Sequence, residues 1–346
     1  MEGGNPEQAT SIEAPARSIS RLIAIDMDGT LLGESGQVSP RTLAAILAAQ
    51  SAGVEIVVAT GRRHAYAMRV LRPLELPPSC TLISSNGATT RTLGSRAASI
   101  PTALISRAHL PTETALWLCS HLGEYRNALV LTFDTVAADG PNHGDDTRGA
   151  LVVEHLENLQ QSITRWMEAN APYIAHVNPI EDALAYADPL EQSLAPANPP
   201  IQAMLCGTVE RMRAAEAHLL SDPRVVAVGH TDNELEPHHE IALHRTEYPA
   251  RDLSILDILP AGCSKGAALL AYAATRGIQA SEILAIGDNW NDVSMFQAAG
   301  AAILMDNAPD DLKELAHARG WQIGPSNRDD GVAIAIEDAL ALAATV

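Results

Sequence analysis

The chain has 346 residues, of which 47% are hydrophobic and 19% are charged. It is long enough for two domains of about 150 residues each, and it is neither a disordered chain nor a highly charged tail. Its 23 Lys and Arg residues stand against 42 Asp and Glu residues, which gives a formal net charge of −19. This charge repels nucleic acids and anionic lipid, so neither is expected as the main partner. A small phosphorylated ligand is still compatible with it, because a bound cation reverses the local field.

Residues 1–18 are predicted to form a disordered tail, because they contain Glu, Gly, Pro and Ser and lack the apolar region of a secretory signal. No stretch approaches the roughly 18 to 20 apolar residues that span a membrane. The four cysteines, Cys80, Cys119, Cys206 and Cys263, form no Cys-x-x-Cys pair. Neither a zinc site nor a disulfide framework is indicated. These features favour a cytoplasmic protein.

The first ordered part is predicted to alternate between strands and helices from Arg21 onwards. Leu22–Ile25 is an apolar run that ends in Asp26, which is typical of a buried strand with polar chemistry at its carboxyl end. The pattern then predicts a helix from Pro40 to Ala52, a strand at Val54–Ala59, a helix to about Leu71 and a strand at Thr81–Ser84. This alternation indicates a parallel sheet covered by helices.

After Asn86 the alternation becomes irregular, and loops rich in proline, glycine and acidic residues interrupt it. Helices are predicted near Thr112–Leu122, Leu156–Ala169 and Val209–Leu220, and strands near Leu129–Phe133, Tyr173–Val177, Ile201–Cys206 and Val225–Val228. The alternation returns with a helix from Ser264 to Ala274, a strand at Ile283–Ile286, a helix at Asp292–Ala298, a strand at Ala301–Leu304 and two closing helices. The sequence therefore predicts one α/β core formed by both ends of the chain, with a middle domain inserted after Asn86.

Two carboxylates directly follow the first predicted strand. Residues two apart in an extended segment point the same way, so Asp26 and Asp28 can face one ligand. They lie at the carboxyl edge of the sheet, which is where open α/β sheets bind ligands. An acidic loop with an Asp-Gly turn is the alternative for a lone Asp-x-Asp pattern. The preceding strand and the residues described next argue against that alternative.

Further polar residues are expected at the same edge. Thr60 and Gly61 end the second strand, and a hydroxyl and a backbone N–H at a helix start suit a phosphate oxygen. Lys265 begins a predicted helix, where a surface lysine is the alternative. The loop 288–292 places acid and amide oxygens after another strand. Together these residues predict a phosphate site with Mg²⁺, a cation that prefers oxygen ligands.

Four motifs, LIAIDMDGTLL, VVATGR, SKGAAL and IGDNWNDVSMF, resemble in this order the signatures of the haloacid dehalogenase-like hydrolase superfamily. The ISSNGA pattern and the SKG form of the third motif resemble its Cof-type phosphatase branch. The resemblance covers about 21–88 and 263–346. It implies an α/β fold with a Rossmannoid core, formed by 19–88 and 255–346, and an inserted α+β cap of the C2 type at 89–254 that selects the substrate.

The resemblance also implies a role for each motif residue. Asp26 would be the nucleophile that forms an aspartyl-phosphate, and Asp28 the general acid and base. The metal ligands would be Asp26, Asp28 through its backbone carbonyl, Asp288 and, in a supporting position, Asp292. The phosphate would be held by the backbone of Met27 and by Thr60, Gly61, Lys265 and Asn291. One departure is Asp306, which stands where the family usually has glycine.

The implied function is a Mg²⁺-dependent phosphomonoester hydrolase that acts on a small phosphorylated metabolite, with a sugar phosphate favoured by family habit. Two alternatives stay open. A sugar phosphomutase of the same superfamily returns the phosphate to the sugar, and a non-enzymatic module accepts a phosphate on Asp26 and changes shape. Two loops of the predicted cap, His143–Asp146 and His238–Glu240, are weaker candidates for substrate contacts or for a metal, because their spacing matches no metal motif.

Overall fold

The computed structural model describes residues 20–95, 97–136, 146–154, 161–185, 199–228, 236–248 and 251–343. The predicted tail at 1–18 and the first residues of the helix predicted at 156–169 lie outside these ranges. The strands are β1 (Leu22–Asp26), β2 (Glu55–Ala59), β3 (Thr81–Ser84), β4 (Thr89–Thr92), β5 (Leu104–Arg107), β6 (Leu129–Thr132), β7 (Leu151–Val153), β8 (Ile174–His176), β9 (Gln202–Gly207), β10 (Val225–Ala227), β11 (Ile241–Tyr248), β12 (Leu253–Pro260), β13 (Ile283–Gly287), β14 (Ala301–Met305) and β15 (Gln322–Gly324). The helices are α1 (Pro40–Ser51), α2 (His64–Leu71), α3 (Thr112–His121), α4 (Gln161–Asn170), α5 (Asp182–Ala185), α6 (Val209–Leu219), α7 (Lys265–Thr275), α8 (Val293–Ala298), α9 (Asp310–Arg319) and α10 (Gly331–Ala343).

The first sheet has the strand order β15-β14-β13-β1-β2-β3-β4-β5. The strands from β15 to β3 pair in parallel, whereas β4 and β5 are added in antiparallel pairing. Because β1 lies between β13 and β2, residues that follow the ends of these three strands meet at one place. The predicted α/β class is confirmed.

Both faces of this sheet are buried, which explains the continuous apolar runs of its central strands. Ile23 and Ile25 pack into a cluster with residues of α1, α2 and α10. Leu22 and Ala24, which point to the opposite face, pack into a second cluster with residues of α7, α8 and α9. The core thus holds β1 from both sides and fixes the position at which Asp26 emerges from it.

The second sheet has the order β10-β11-β12-β9-β6-β7-β8 and mixes parallel and antiparallel pairs. One face packs against α3, α5 and α6. On the other face, α4 packs Trp166 and Met167 against a small cluster around Leu151 and Met204. The rest of that face turns toward the carboxyl edge of the first sheet, so the second sheet is positioned to contribute to a site there.

Several strands were not predicted from the sequence, above all β4, β5, β11 and β12. The residues of β4 are Thr-Thr-Arg-Thr and those of β5 are exposed, so neither forms the apolar run of a buried strand. The first sheet therefore continues to Arg107, beyond the predicted limit at residue 88. The second sheet ends at Pro260, beyond the predicted limit at residue 254. The division into a core of 19–88 and 255–346 and a cap of 89–254 stays a prediction.

Two further findings concern the helices and the cysteines. Among the helices that the structure describes, none is both long and apolar enough to cross a membrane. The four cysteines are buried as free thiols. Burial raises the pKa of Cys80 to about 11, so this thiol is protonated at neutral pH.

Candidate active site

The predicted motif residues meet at the carboxyl edge of the first sheet. Asp26 pairs in register with Ala59 of β2, and the preceding residue of β1 pairs with Ile286 of β13. Thr60 and Asp288, which follow these partners closely in the chain, are therefore neighbours of Asp26. The register of three parallel strands brings together residues that are more than 200 positions apart in the sequence.

Lys265 is completely buried and is not a surface lysine. Its Nζ donates to Oδ1 of Asp26 at 2.5 Å and to Oδ1 of Asp292 at 2.7 Å. The lysine reaches this position because α7 begins close to α8: a Cβ at Gly266 would lie 2.0 Å from the backbone oxygen of Ser294. Burial lowers the pKa of Lys265, but Asp26 and Asp292 raise it by more, so the lysine is charged.

Asp288 is held against the turn that follows Asp28. Oγ1 of Thr30 donates to its Oδ1 at 2.9 Å, and Nδ2 of Asn307 donates to its Oδ2 at 3.2 Å. Gly29 has φ +84°, and a Cβ there would lie 2.2 Å from Oδ2 of Asp288. Only glycine fits this turn, because the conformation is left-handed and the carboxylate occupies the space of a side chain.

Asp292 shapes the loop around it. Its Oδ2 accepts hydrogen bonds from the backbone N–H groups of Asp288 at 2.9 Å and Asn289 at 3.0 Å, while its Oδ1 accepts from Lys265. These donors fix the carboxylate of Asp292 and, through it, both the loop and the ammonium group. Its position suits the supporting role that the resemblance implied.

Three of the four predicted metal ligands form one cluster. Asp26, Asp288 and Asp292 are buried, and one carboxylate oxygen of each lies within 4.8 Å of the others. Within the described ranges no other group of three acidic, histidine or cysteine side chains is arranged in this way. The side chain of Asp28 is not part of the cluster, which leaves only its backbone carbonyl for the predicted ligand role.

The charges of the cluster fit a divalent cation. Three carboxylates share the space with the single ammonium group of Lys265, so negative charge is in excess. Burial, together with the charge of Asp292, raises the pKa of Asp26 to about 7 although Lys265 opposes it. Burial and the charges of Asp26 and Asp292 also raise the pKa of Asp288. A bound cation with a preference for oxygen would stabilise the ionised carboxylates.

Asp28 forms an ion pair with Arg62 that the sequence did not predict. Nε of Arg62 donates to Oδ2 of Asp28 at 2.7 Å, and a second hydrogen bond joins Nη2 to Oδ1. The guanidinium group also lies 5.0 Å from the ring centroid of Tyr66. The only signal in the sequence was an arginine directly after Thr-Gly at a helix start, and that position alone does not identify a partner.

The predicted phosphate ligands lie beside these acids. Thr60 is buried at the end of β2, and its Oγ1 accepts from the backbone N–H of Arg62 at 3.1 Å. Nδ2 of Asn291 donates to Oδ1 of Asn86 at 3.1 Å. Asn86 lies in the turn after β3 with φ +49°, a conformation that asparagine tolerates. The sequence predicted a turn there but not this contact.

The structure also shows the surroundings of two further motif residues, Met27 and Asp306. The side chain of Met27 is buried in the core, so only its backbone is available to a ligand. Asp306, the departure from the family pattern, is exposed, and its carboxylate accepts from Lys313 at 3.0 Å. The next residue, Asn307, is also exposed, but its Nδ2 donates to the backbone oxygen of Gly29 at 2.8 Å and to Oδ2 of Asp288 at 3.2 Å. The side chain of Asp306 therefore bonds to Lys313 and makes no bond to the acid cluster, whereas Asn307 is a site residue that the sequence did not predict.

A cavity of about 200 Å³ lies between the carboxyl edge of the first sheet and the second sheet. The first sheet and α2 contribute polar and charged side chains to it. The second sheet and α4 contribute apolar side chains together with hydroxyl, amide and carboxylate groups. Its lining includes Asp26, Asp28, Thr60, Gly61, Arg62, Arg63, Tyr66, Trp166, Asn170, Gln202, Met204, Tyr248, Ile255, Asp257 and Asn291. A small molecule bound there touches the acid cluster and the second sheet at once.

The two cap loops that were weaker candidates for a metal or for substrate contacts form no group of metal-ligating side chains among their described residues. Asp146 forms an ion pair with Arg63, whose Nη2 also donates to Oδ1 of Asn170 at 2.7 Å. The rings of His238 and His239 contact each other in a tilted arrangement, with centroids 4.3 Å apart and an angle of 48° between their planes. Glu240 lies 3.7 Å from Arg224. His143 and Asp145 are outside the described residues.

Comparisons with known proteins agree with the motifs. A family model described as haloacid dehalogenase-like hydrolase matches residues 23–146 and 226–336. The 5-amino-6-(5-phospho-D-ribitylamino)uracil phosphatase YwtE of Bacillus subtilis is 28% identical over 332 residues, which cover 92% of this chain and 98% of the relative. The pyridoxal phosphate phosphatase YbhA of Escherichia coli is 26% identical and covers 86% of this chain and 92% of its own length.

Solved structures show the same fold. The crystal structure of a haloacid dehalogenase-like hydrolase from Bacteroides thetaiotaomicron matches with a TM-score of 0.63. It is 24% identical, and the match covers 92% of this chain and 99% of that protein. At this identity the likeness concerns the fold, including the two sheets and the helices around them.

Proposed function

The chain belongs to the haloacid dehalogenase-like hydrolases, in their Cof-type phosphatase branch, and we propose that it hydrolyses the phosphomonoester of a small metabolite with Mg²⁺ as its cofactor. The observation that carries this proposal is the buried cluster of Asp26, Asp288 and Asp292 around Lys265, at the end of the cavity. The relatives named above act on a phosphorylated ribitylaminouracil and on pyridoxal phosphate, which supports a small phosphorylated substrate.

The first step assigned to this site is the attack of Asp26 on phosphorus. Lys265 donates to Oδ1 of Asp26, so we assign the attack to Oδ2. The new bond joins this oxygen to phosphorus, and the bond from phosphorus to the alcohol oxygen breaks, which leaves an aspartyl-phosphate. Formation of a covalent intermediate divides hydrolysis into two easier displacements. The ammonium group of Lys265 offsets the negative charge of the transferred phosphoryl group.

Asp28 is assigned the proton transfers. In the first step it gives a proton to the departing alcohol oxygen, and in the second it takes a proton from the water that attacks the aspartyl-phosphate. The bidentate pair with Arg62 engages both carboxylate oxygens of Asp28 and fixes the orientation of this side chain. A protonated Asp28 cannot keep both hydrogen bonds, so the first step requires this pair to loosen while substrate is bound.

The carboxylates of Asp26 and Asp288 and the backbone carbonyl of Asp28 would hold Mg²⁺, with Asp292 in support. When bound, this cation supplies positive charge between the nucleophile and the phosphate, which otherwise repel each other. The backbone of Met27, the side chains of Thr60 and Asn291, and the backbone of Gly61 would orient the phosphoryl oxygens. Each of these groups lies beside the acid cluster or lines the cavity.

Multiple turnover tests the proposed function. With Mg²⁺ and a panel of metabolite phosphates, including sugar phosphates, we expect each chain to release many equivalents of inorganic phosphate. Phosphate release is measured together with the organic product, since a phosphomutase would produce an isomeric phosphate ester and little inorganic phosphate. A module that only accepts phosphate would stop at one equivalent or fewer. Either of these two results would contradict the proposal.

The metal site is tested by binding. Titration calorimetry of Mg²⁺ into the metal-free protein should show one site, and Asp288→Asn should weaken its affinity by about tenfold or more, because even residues around a metal site typically affect affinity by 10–100-fold. Asp306→Asn is the matched control, since Asp306 lies near the site but is exposed and bound to Lys313. Equal affinities for the Asp288 variant and the unmodified protein would remove Asp288 from the ligand set.

A further inference from the structure

Two neighbouring strands of the second sheet contribute four residues to the cavity lining, which we call the sheet wall: Gln202 and Met204 of β9, and Ile255 and Asp257 of β12. In strands, residues two apart lie on the same face, so each pair projects to the same side of the sheet. The opposite face of these strands is buried against α3, α5 and α6. The sheet wall thus offers a ligand two apolar side chains, one amide and one carboxylate.

The carboxylate of Asp257 has capacity for a further donor. Nδ2 of Asn86 donates to its Oδ2 at 2.7 Å, and Nε2 of Gln202 donates to its Oδ1. An ionised carboxylate accepts about four hydrogen bonds, so two known donors do not exhaust it. Burial raises the pKa of Asp257 to about 7 even though both amides favour the ionised form. A ligand that donates a hydrogen bond would stabilise this carboxylate further.

Aromatic side chains are concentrated around the same cavity. The chain contains 4 Trp, 6 Tyr and 2 Phe residues. Three of these twelve, Tyr66, Trp166 and Tyr248, line the cavity together with Met204 and Ile255. A flat ring has two apolar faces and a polar edge. The faces suit these aromatic and apolar side chains, and the edge suits the polar groups that the second sheet adds to the lining, which are two threonine hydroxyls, one amide and the carboxylate of Asp257.

The carboxylate is linked to the phosphate end of the site. Asn86 donates to Asp257 with its amide nitrogen, and its amide oxygen accepts from Asn291 at 3.1 Å. Asn86 is buried in a left-handed turn, so it cannot easily shift. This chain of contacts fixes Asp257 relative to Asn291, one of the residues proposed to bind phosphate. A substrate that fits both ends must have its donor at a defined distance from its phosphate.

We propose that the preferred substrate is a phosphomonoester whose leaving group carries a flat ring with an N–H donor. The donor bonds to Asp257, and the faces of the ring pack between the aromatic side chains and the apolar residues of the sheet wall. This inference rests on the proposed function and names the substrate class of the same site. It replaces the sugar phosphate that the sequence favoured.

A matched series of alkyl phosphates tests this assignment on the full chain. The series contains 3-aminobenzyl phosphate, benzyl phosphate, cyclohexylmethyl phosphate and glucose 6-phosphate, all of which are esters of primary alcohols. We expect kcat/KM to be about tenfold higher with the amino group than without it, as a hydrogen bond to a charged group predicts. We expect benzyl phosphate to exceed cyclohexylmethyl phosphate by about twofold to tenfold, the range of aromatic packing effects.

Two variants assign these preferences to residues. Asp257→Asn should reduce the preference for the amino group to less than about threefold, because a neutral amide accepts more weakly than a carboxylate. Trp166→Leu should remove most of the preference for benzyl over cyclohexylmethyl. The matched control is Trp117→Leu, a partly buried tryptophan of α3 on the opposite face of the second sheet. Ratios measured on one preparation do not depend on the fraction of folded protein, so a loss of stability cannot imitate these results.

The outcomes separate the two proposals. Phosphate release from all four compounds, with glucose 6-phosphate preferred or with no effect of the amino group, would overturn the ring assignment and leave the phosphatase proposal intact. An unchanged amino preference in Asp257→Asn would overturn the role of Asp257. Failure to release phosphate from any phosphomonoester would overturn the proposed function and this inference with it.

Discussion

Replacement of Asp26 by Asn should reduce turnover to the background rate, a loss of more than about 10⁴-fold, as when the nucleophile of other covalent enzymes is removed. The amide keeps the shape of the side chain at the end of β1 but lacks the charge that attacks phosphorus. The fold should persist, because Lys265 keeps its hydrogen bond to Asp292 at 2.7 Å. Removal of one of three crowded carboxylates also relieves repulsion within the cluster.

The direct measurement is the covalent intermediate. Acid quenching during turnover of a labelled phosphomonoester should trap phosphate on the unmodified chain and none on Asp26→Asn. The exposed Asp306→Asn variant serves again as the control and should trap label as the unmodified chain does. A variant at position 26 that keeps about a tenth of the rate would mean that another residue attacks phosphorus.

Replacement of Asp28 by Asn should affect substrates according to their leaving groups. The amide retains the backbone carbonyl but cannot transfer a proton. An alkyl phosphate releases a basic alkoxide and needs that proton, so we expect a loss of about 10²–10⁴-fold, the usual contribution of a general acid. A nitrophenyl phosphate releases a stable anion, so formation of its aspartyl-phosphate should be much less affected.

Breakdown of the aspartyl-phosphate should nevertheless be slow in Asp28→Asn with either substrate, because the attacking water has lost its base. A rapid-mixing time course should therefore show a burst of nitrophenol, close to one equivalent per active site, followed by slow turnover. The unmodified chain provides the comparison. Equal losses on alkyl and nitrophenyl phosphates in the first turnover, without a burst, would show that Asp28 is not the general acid.

Loss of the ion pair with Arg62 also contributes to the loss of activity that we expect for Asp28→Asn. Arg62 donates to both carboxylate oxygens in the unmodified chain, and Asn at position 28 accepts at only one. Part of the loss would then come from a misplaced Arg62. This part should be the same for alkyl and nitrophenyl phosphates, so the ratio of the two losses still isolates proton transfer.

Local sequence patterns were sufficient to predict the central strands and the residues that follow them. Apolar runs predicted β1, β2, β3, β13 and β14 within one or two residues, and the β3 prediction at Thr81–Ser84 has the same bounds as the strand. Because parallel strands end at a common edge, polar residues after these runs had to converge. The proximity of Asp26, Thr60 and Asp288 followed from local patterns and from the rules of sheet assembly.

The location of Lys265 was only partly determined in this way. Its place at a helix start was predicted, but that position taken alone favoured an exposed lysine, and only the family resemblance implied a role in the site. The structure buries it because Gly266 permits α7 to approach α8. Helix packing of this kind depends on the shapes of two surfaces, and periodicity along one helix does not specify which surface it meets.

The pairing of side chains across the site could not be predicted from local patterns. Asn86 donates a hydrogen bond to Asp257, which is 171 positions away in the sequence. Asn307 donates to the backbone oxygen of Gly29, which is 278 positions away. Asp257 lies in an apolar strand that the sequence did not predict, and its carboxylate faces the cavity because β12 pairs with β9 in a particular register. A shift by one residue would turn it to the opposite face. Motif residues at strand ends can be predicted from the order of residues along the chain. A contact between two loops or two sheets depends on tertiary packing, which no short segment of the sequence specifies.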